Sequence, residues 1–277
     1  MKKYSLFIKM AGFVLAAALV LATVVGLLSM GHDGFSGFIK PFLAIMAGGG
    51  LVILLIIYTI LKDSYDSKHK YAEMNRIMAE KGICDEYIEA YKAAHPNMSA
   101  FDRIQLADLL TTVRRYDEAE RILSSMKLGF FSSDDLEKAT YCVAAMNLYL
   151  NTERYADSFE LLKKEKSFLN IFFQSPVGKQ SAPAYYDCAA CTCAANGYEG
   201  TAEEYIQMEE RWAEKHDSLG FYVPITRIAV KNLTGDPRGA RADAEELRRK
   251  IESCEKLQSK AAKDAYFRMI ENAVNYK

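Results

Sequence analysis

The sequence predicts an all-α protein in two parts, a pair of membrane-crossing helices followed by a stack of helical hairpins. Three observations carry that expectation. Residues 1–61 contain two uncharged apolar runs of 21 residues each. Beyond residue 62, apolar side chains recur at i, i+3 and i+4, the period of a helix with one buried face. These helical stretches also come in pairs separated by very short turns, as where Arg114 and Arg115 alone divide two of them.

The two runs are "MAGFVLAAALVLATVVGLLSM", about 10–30, and "PFLAIMAGGGLVILLIIYTIL", about 41–61. At ~1.5 Å rise per residue each is long enough to cross a bilayer core. A cleaved signal peptide fits poorly, because the first run exceeds the usual ~7–15 apolar residues and no small-x-small site follows it. The ten-residue connection "GHDGFSGFIK" forces a hairpin. Its only basic residue is Lys40, whereas Lys2, Lys3, Lys9, Lys62, Lys68 and Lys70 flank the outer ends, so both termini are expected in the cytoplasm. Ala18, Ala22 and Gly26, and likewise Ala44 and Gly48, form small-residue stripes that suit close packing of the two helices. Residues 1–61 thus read as a transmembrane hairpin and 62–277 as a cytosolic domain, an integral protein of the plasma membrane.

Charge sharpens the division. The 277-residue chain has a formal charge of −1, which gives nucleic acid no footprint. Residues 1–61 hold only Lys2, Lys3, Lys9, Lys40 and Asp33, which leaves 31 of the 35 basic and 35 of the 36 acidic groups to residues 62–277.

Within the second part, "FDRIQLADLLTTV" and "RRYDEAERIL" form the clearest hairpin, with Leu106, Ala107 and Leu110 on its first helix and Tyr116, Ala119 and Leu123 on its second. Upstream, Tyr71, Met74, Met78, Gly82, Tyr91 and Ala94 follow the same plan. Downstream come Ala145, Tyr149, Tyr155, Ser158 and Leu162, then Tyr185, Cys188, Ala189, Tyr198 and Tyr205. A fifth hairpin turns at Gly235, Asp236 and Pro237, and residues 257–276 form a last amphipathic helix suited to capping the open end. "SSDD" marks a helix start with Ser133 as N-cap. "SFLNIFFQSPVGKQSAPA" reads as a long connection over 167–183, whose Phe168, Leu169, Ile171, Phe172 and Phe173 either fold back onto a neighbouring hairpin or form an apolar patch for a partner.

This pattern resembles the tetratricopeptide repeat (TPR), most closely at Leu106, Ala107, Leu110, Tyr116, Ala119 and Leu123. The resemblance implies a TPR-like α-solenoid of about five helical hairpins plus the C-terminal capping helix. It also implies a concave surface, built from first helices, that takes an extended peptide or a partner's helix. Carried over to this sequence, that groove includes Arg76, Ile104, Asp108, Thr111, Thr112, Val143, Asn147, Asn151, Tyr186, Tyr222 and Asn232. Phe168, Phe172 and Phe173 are the alternative, a partner site on the long connection.

Catalytic, cofactor and metal chemistry are not expected. "AGGGL" lies inside an apolar run, no Ser/His/Asp arrangement stands out, and acid pairs such as Glu209 and Glu210 are adjacent on a helix and diverge toward solvent. Cys188, Cys191 and Cys193 cannot share one ion, since at ~100° per residue Cys193 points away from Cys191. They read as small packing residues of a reduced cytosolic domain. The expected function is therefore that of a membrane-anchored protein-interaction scaffold. An accessory or regulatory subunit of a membrane transporter or secretion complex, acting through the hairpin, is the alternative.

Overall fold

The computed structural model describes residues 69–126, 134–217, 219–257 and 259–276, together with Val20, Val24, Tyr58 and Lys62. The chain divides into two compact units, Met1–Ala72 and Glu73–Lys277. In the first unit the described residues are helical. The runs 10–30 and 41–61 lie outside the described residues apart from Val20, Val24 and Tyr58. Among the described residues, no helix is long and apolar enough to cross a membrane.

The second unit is all-α, with no strand among the described residues. Helix α1 ends at residue 81. It is followed by α2 (Asp85–Ala94), α3 (Ala100–Thr112), α4 (Tyr116–Ser124), α5 (Asp135–Asn151), α6 (Tyr155–Gln174), α7 (Ala182–Ala195), α8 (Glu199–His216), α9 (Tyr222–Leu233), α10 (Pro237–Glu252) and α11 (Lys260–Asn275). Neighbours in sequence pack as hairpins: α3 with α4, α5 with α6, α7 with α8, α9 with α10. The first helices also touch one another in a row, α3 on α5, α5 on α7, α7 on α9 and α9 on α11. That two-layer stack is an α-solenoid.

Four of the turns inside hairpins are copies of one another. A left-handed residue stands two before the second helix: Arg114 (φ 63), Glu153 (φ 60), Gly197 (φ 78) and Gly235 (φ 95). The next residue donates its N–H five positions back, Arg115 to Leu110, Arg154 to Tyr149, Tyr198 to Cys193 and Asp236 to Lys231, at 2.8–3.1 Å. This is the Schellman closure of a helix, and it uses carbonyls that the helix end would otherwise leave unpaired. Glycine meets that φ without strain, whereas Arg114 and Glu153 adopt it at a cost of roughly 1 kcal/mol each.

Registration then repeats. The fourth residue of each second helix is small and fully buried, Ala119, Ser158, Ala202 and Ala240 in turn. The eighth is buried too: Leu123, Leu162, Ile206 and Ala244. A small side chain is needed where paired helices cross, and in three of the four a larger apolar one, Leu123, Leu162 or Ile206, fills the gap a turn later, Ala244 being the exception. Serine substitutes for alanine in α6 because its hydroxyl has a partner, Thr192 Oγ1 on α7 at 2.6 Å. α2 departs from the rule with Ile88 at its fourth position.

Two expectations need correction. The long connection over 167–183 is mostly helix: α6 runs to Gln174, because Leu162, Glu165, Leu169, Phe172 and Phe173 continue one buried stripe at helical spacing. Glu165 is held there by Lys138 at 2.7 Å, and Lys138 lies 4.3 Å from the centre of the Phe168 ring. The chain turns only over 175–181, where Gly178 packs so closely on Phe172 that a side chain at 178 would collide with it. The other correction concerns α5, whose N-cap is Asp134. Its carboxylate accepts from Leu136 N–H (2.9 Å) and Glu137 N–H (3.3 Å), and Ser133 lies outside the described residues. α3 starts on a reciprocal capping box between Ser99 and Asp102.

Candidate functional site

The row of first helices curls until its last member reaches its first hairpin. On α11, Arg268 donates to the carbonyls of Lys81 (3.0 Å) and Ile83, and Glu271 pairs with Arg114 at 3.0 Å. The carboxamide of Asn232 on α9 donates to the carbonyls of Ala273 and Tyr276 and so holds the far end of α11. α11 therefore walls one side of the row, besides packing on α9 and α10 as a terminal helix.

Between α11 and the other first helices lies a cavity of about 340 Å³. Asp108 and Thr112 of α3, Val143 and Asn147 of α5, and Asp187 and Cys188 of α7 line it. Tyr222, Ile225 and Thr226 of α9, Glu209 of α8, and Arg268, Met269 and Tyr276 complete the wall. Five residues expected in the groove, Asp108, Thr112, Val143, Asn147 and Tyr222, thus meet at one opening.

The remaining groove residues stand elsewhere. Ile104 is fully buried in the core. Thr111 is 2 % exposed and returns its hydroxyl to Ala107 O at 3.0 Å. Tyr186 is 6 % exposed, which corrects its placement on an open stripe. The reason is that α7 touches α5, α6, α8 and α9, and 11 of its 14 residues are buried. The same crowding buries Cys188, Cys191 and Cys193 as free thiols. Arg76 is exposed on α1 and paired with Glu73 and Glu80 at 2.7 and 2.6 Å. Asn151 donates to Asn147 O and Oδ1, and Asn147 donates to Asp108 Oδ1 at 2.9 Å, a chain that ties α5 to α3.

The cavity is more acidic than the sequence suggested. Glu209 is 1 % exposed, which corrects the expectation that it diverges to solvent with Glu210. Glu210 does face outward and pairs with Arg227 at 2.7 Å. Glu209, however, continues the buried stripe of Ala202, Tyr205 and Ile206 at helical spacing. That spacing was the available signal for it. Asp187, Arg268 and Tyr276 carry no comparable signal, since each owes its place to helices distant in sequence.

Burial dominates the electrostatics. It raises the carboxyl of Asp108, against the opposing hydrogen bond from Asn147. It likewise raises Asp187, against donation from Thr226 (2.9 Å) and Cys191 (3.8 Å). Glu209 is pushed up to about 8 by burial first and the neighbouring Asp187 second. The Thr226 hydroxyl donates to Asp187 at 2.9 Å and also lies in hydrogen-bonding reach of the Glu209 carboxyl, which opposes part of its rise; Glu209 Oε2 is left without a hydrogen-bond partner among the described residues. Three carboxyls thus share the cavity with one cation among its described lining residues, Arg268, whose guanidinium is committed to main-chain carbonyls. No group of His, Cys, Asp and Glu among the described residues is arranged to hold a metal ion.

The alternative site also changes character. Phe172 and Phe173 are buried, Phe173 stacking on Tyr185 at 4.7 Å, and Phe168 is half-buried under Lys138. The exposed apolar side chains of that edge are Ile171 and Val177.

Comparison with protein families, with curated proteins and with solved structures finds no match for this chain. The class that fold and site define is an α-solenoid with an acidic cavity on its inner helix row.

Proposed function

We propose that the chain is a membrane-anchored protein-interaction scaffold. In this reading a hairpin of transmembrane helices at 10–30 and 41–61 holds a TPR-like solenoid in the cytoplasm. The solenoid takes a protein or peptide partner on its row of first helices. One observation carries the reading: five residues that the TPR resemblance assigns to the groove line one cavity, although they come from α3, α5 and α9, as much as 114 positions apart in sequence. Loops and helix faces brought together in that way are the usual setting of a ligand site. The repeated Schellman turns and the small residue at the fourth position of each second helix support the solenoid part of the reading.

The test has two arms. Reporter fusions at Lys277 are expected to report the cytoplasm, and an external reporter overturns the topology. Full-length protein is then used for cross-linked capture, wild type beside the doubly substituted Asp108→Asn, Asn147→Ala. A specific partner set lost in the variant, with folding unchanged, is the expected result. An identical partner set in both removes the cavity from the function.

A further inference from the structure

Of the features that the scaffold reading leaves unexplained, the carboxyl of Glu209 is the most costly to the fold. It is 99 % buried, it lines the cavity, and its Oε2 has no partner among the described residues. A buried acceptor without a partner is costly, and more so once it is charged. Ile206, an apolar residue of comparable length, occupies the same face of α8 one turn earlier, so packing alone does not require an acid there.

Asp187 and Asp108 face the same space, each already receiving one hydrogen bond, from Thr226 and Asn147. The oxygens that remain are acceptors only. Arg268 makes no ion pair with them: its guanidinium donates to the carbonyls of Lys81 and Ile83, and its charge is not among those that shift the three carboxyls. Around this acidic end the wall is apolar, with Val143, Ile225 and Met269. The shape and chemistry ask for a ligand with a compact positive head and an apolar stem.

We propose that the cavity is a recognition pocket for the lysine side chain of a partner peptide, with the neighbouring carboxyls of Asp187 and Glu209 as the charge that the ammonium group answers. The inference rests on reading this cavity as the partner-binding face. Lysine fits better than arginine: its head is a point charge with three divergent donors, suited to acceptors on separate groups such as Asp187 and Glu209, whereas a guanidinium fork needs two parallel acceptors on one group. The four methylenes lie along the apolar wall. Below about pH 8 Glu209 holds a proton, since burial and Asp187 raise it; a neighbouring ammonium favours the ionised form, and the proton is released to solvent.

The experiment uses the full-length chain at pH 8, where an amine of pKa about 10.4 is charged. Calorimetry follows acetyl-Gly-Lys-Gly-amide, its Nε-acetylated form, n-pentylammonium and neutral 1-pentanol. Saturable binding of the lysine peptide is expected, at least 10-fold weaker after Nε-acetylation and at least 10-fold weaker in Glu209→Gln. Asp108→Asn, which removes a different charge from the same cavity, is expected to weaken it several-fold and guards against a folding defect in the first variant. Peptide binding that is indifferent to acetylation or to both substitutions overturns the proposal. Binding of n-pentylammonium alone also overturns it, and shows a small-amine pocket rather than a peptide site. The scaffold reading fails separately, if partner capture survives Asp108→Asn, Asn147→Ala while the lysine peptide still binds wild type.

Discussion

Glu209→Gln tests the electrostatics of the cavity through the pH dependence of stability. The carboxyl stands at about 8 in the folded protein against an ordinary value of 4.5. Between those values the folded state retains a proton that the unfolded chain has released. Stability therefore falls as pH rises through this window, by up to ~1.4 kcal/mol per pH unit, and the loss is complete just above 8. The full shift sets a ceiling of roughly 5 kcal/mol. About 3 kcal/mol of it falls between pH 5.5 and 8.5, and Asp187 and Asp108, which burial also raises, add losses of the same sign. Glutamine keeps the volume and neutrality of the protonated acid at every pH and has nothing to release.

The wild type is thus expected to lose stability from pH 5.5 to 8.5 and the variant to lose clearly less, since only the raised carboxyls of Asp108 and Asp187 remain in it, with the variant the more stable at pH 8.5. Trp212 is the only tryptophan and lies on the same helix as Glu209. Its indole N–H donates to Lys179 O at 2.8 Å, and its ring meets Tyr222 edge-on, so its fluorescence reports this hairpin directly. With a urea m-value of 1–3 kcal/mol per M, the wild-type midpoint should fall by about 1 M or more over the range. A wild-type midpoint that does not move, or a variant that moves in parallel with it, refutes the assignment of a buried proton to Glu209.

Three further outcomes follow from the packing. Ala119→Arg places a long charged side chain at a fully buried helix crossing; a cost of several kcal/mol is expected, seen as loss of a cooperative thermal transition, and an unchanged melting curve would show that the register of the second hairpin is wrong. Burial pushes the thiols of Cys188 and Cys191 well above their ordinary value, so iodoacetamide on the native protein should label the half-buried Cys84 and Cys254 first; early modification of Cys188 in peptide mapping contradicts the packing of α7. Arg268→Ala removes the donors to Lys81 O and Ile83 O and should raise amide exchange across 260–276, while unchanged exchange there means that packing on α9 and α10 alone holds α11.

What the sequence made legible was set by what is local. The hairpin centred on Arg114 and Arg115 could be read because helix period, turn and small crossing residues fall within about 20 positions, and the structure gives Leu106, Ala107, Leu110, Ala119 and Leu123 as buried. The helix that runs through 167–174 is hidden in the sequence for the opposite reason. Its run of aromatics obscures a helical stripe whose continuity depends on Glu165, and a glutamate breaks an apolar pattern unless Lys138 from the preceding helix is known to meet it. Glu209 repeats that lesson at the site. Adjacent acids on a helix point about 100° apart, so one of the two can face inward while the other is solvated. The identity of the inward one follows from Ala202, Tyr205 and Ile206, but the reason a carboxyl is tolerated there follows only from Asp187, Thr226 and Asp108, which three other helices supply. A helical repeat writes its scaffold locally, in each hairpin. It writes its site across hairpins: Glu209 is a departure from the apolar stripe of its own helix, whereas Asp187 owes its place in the cavity to helices distant in sequence.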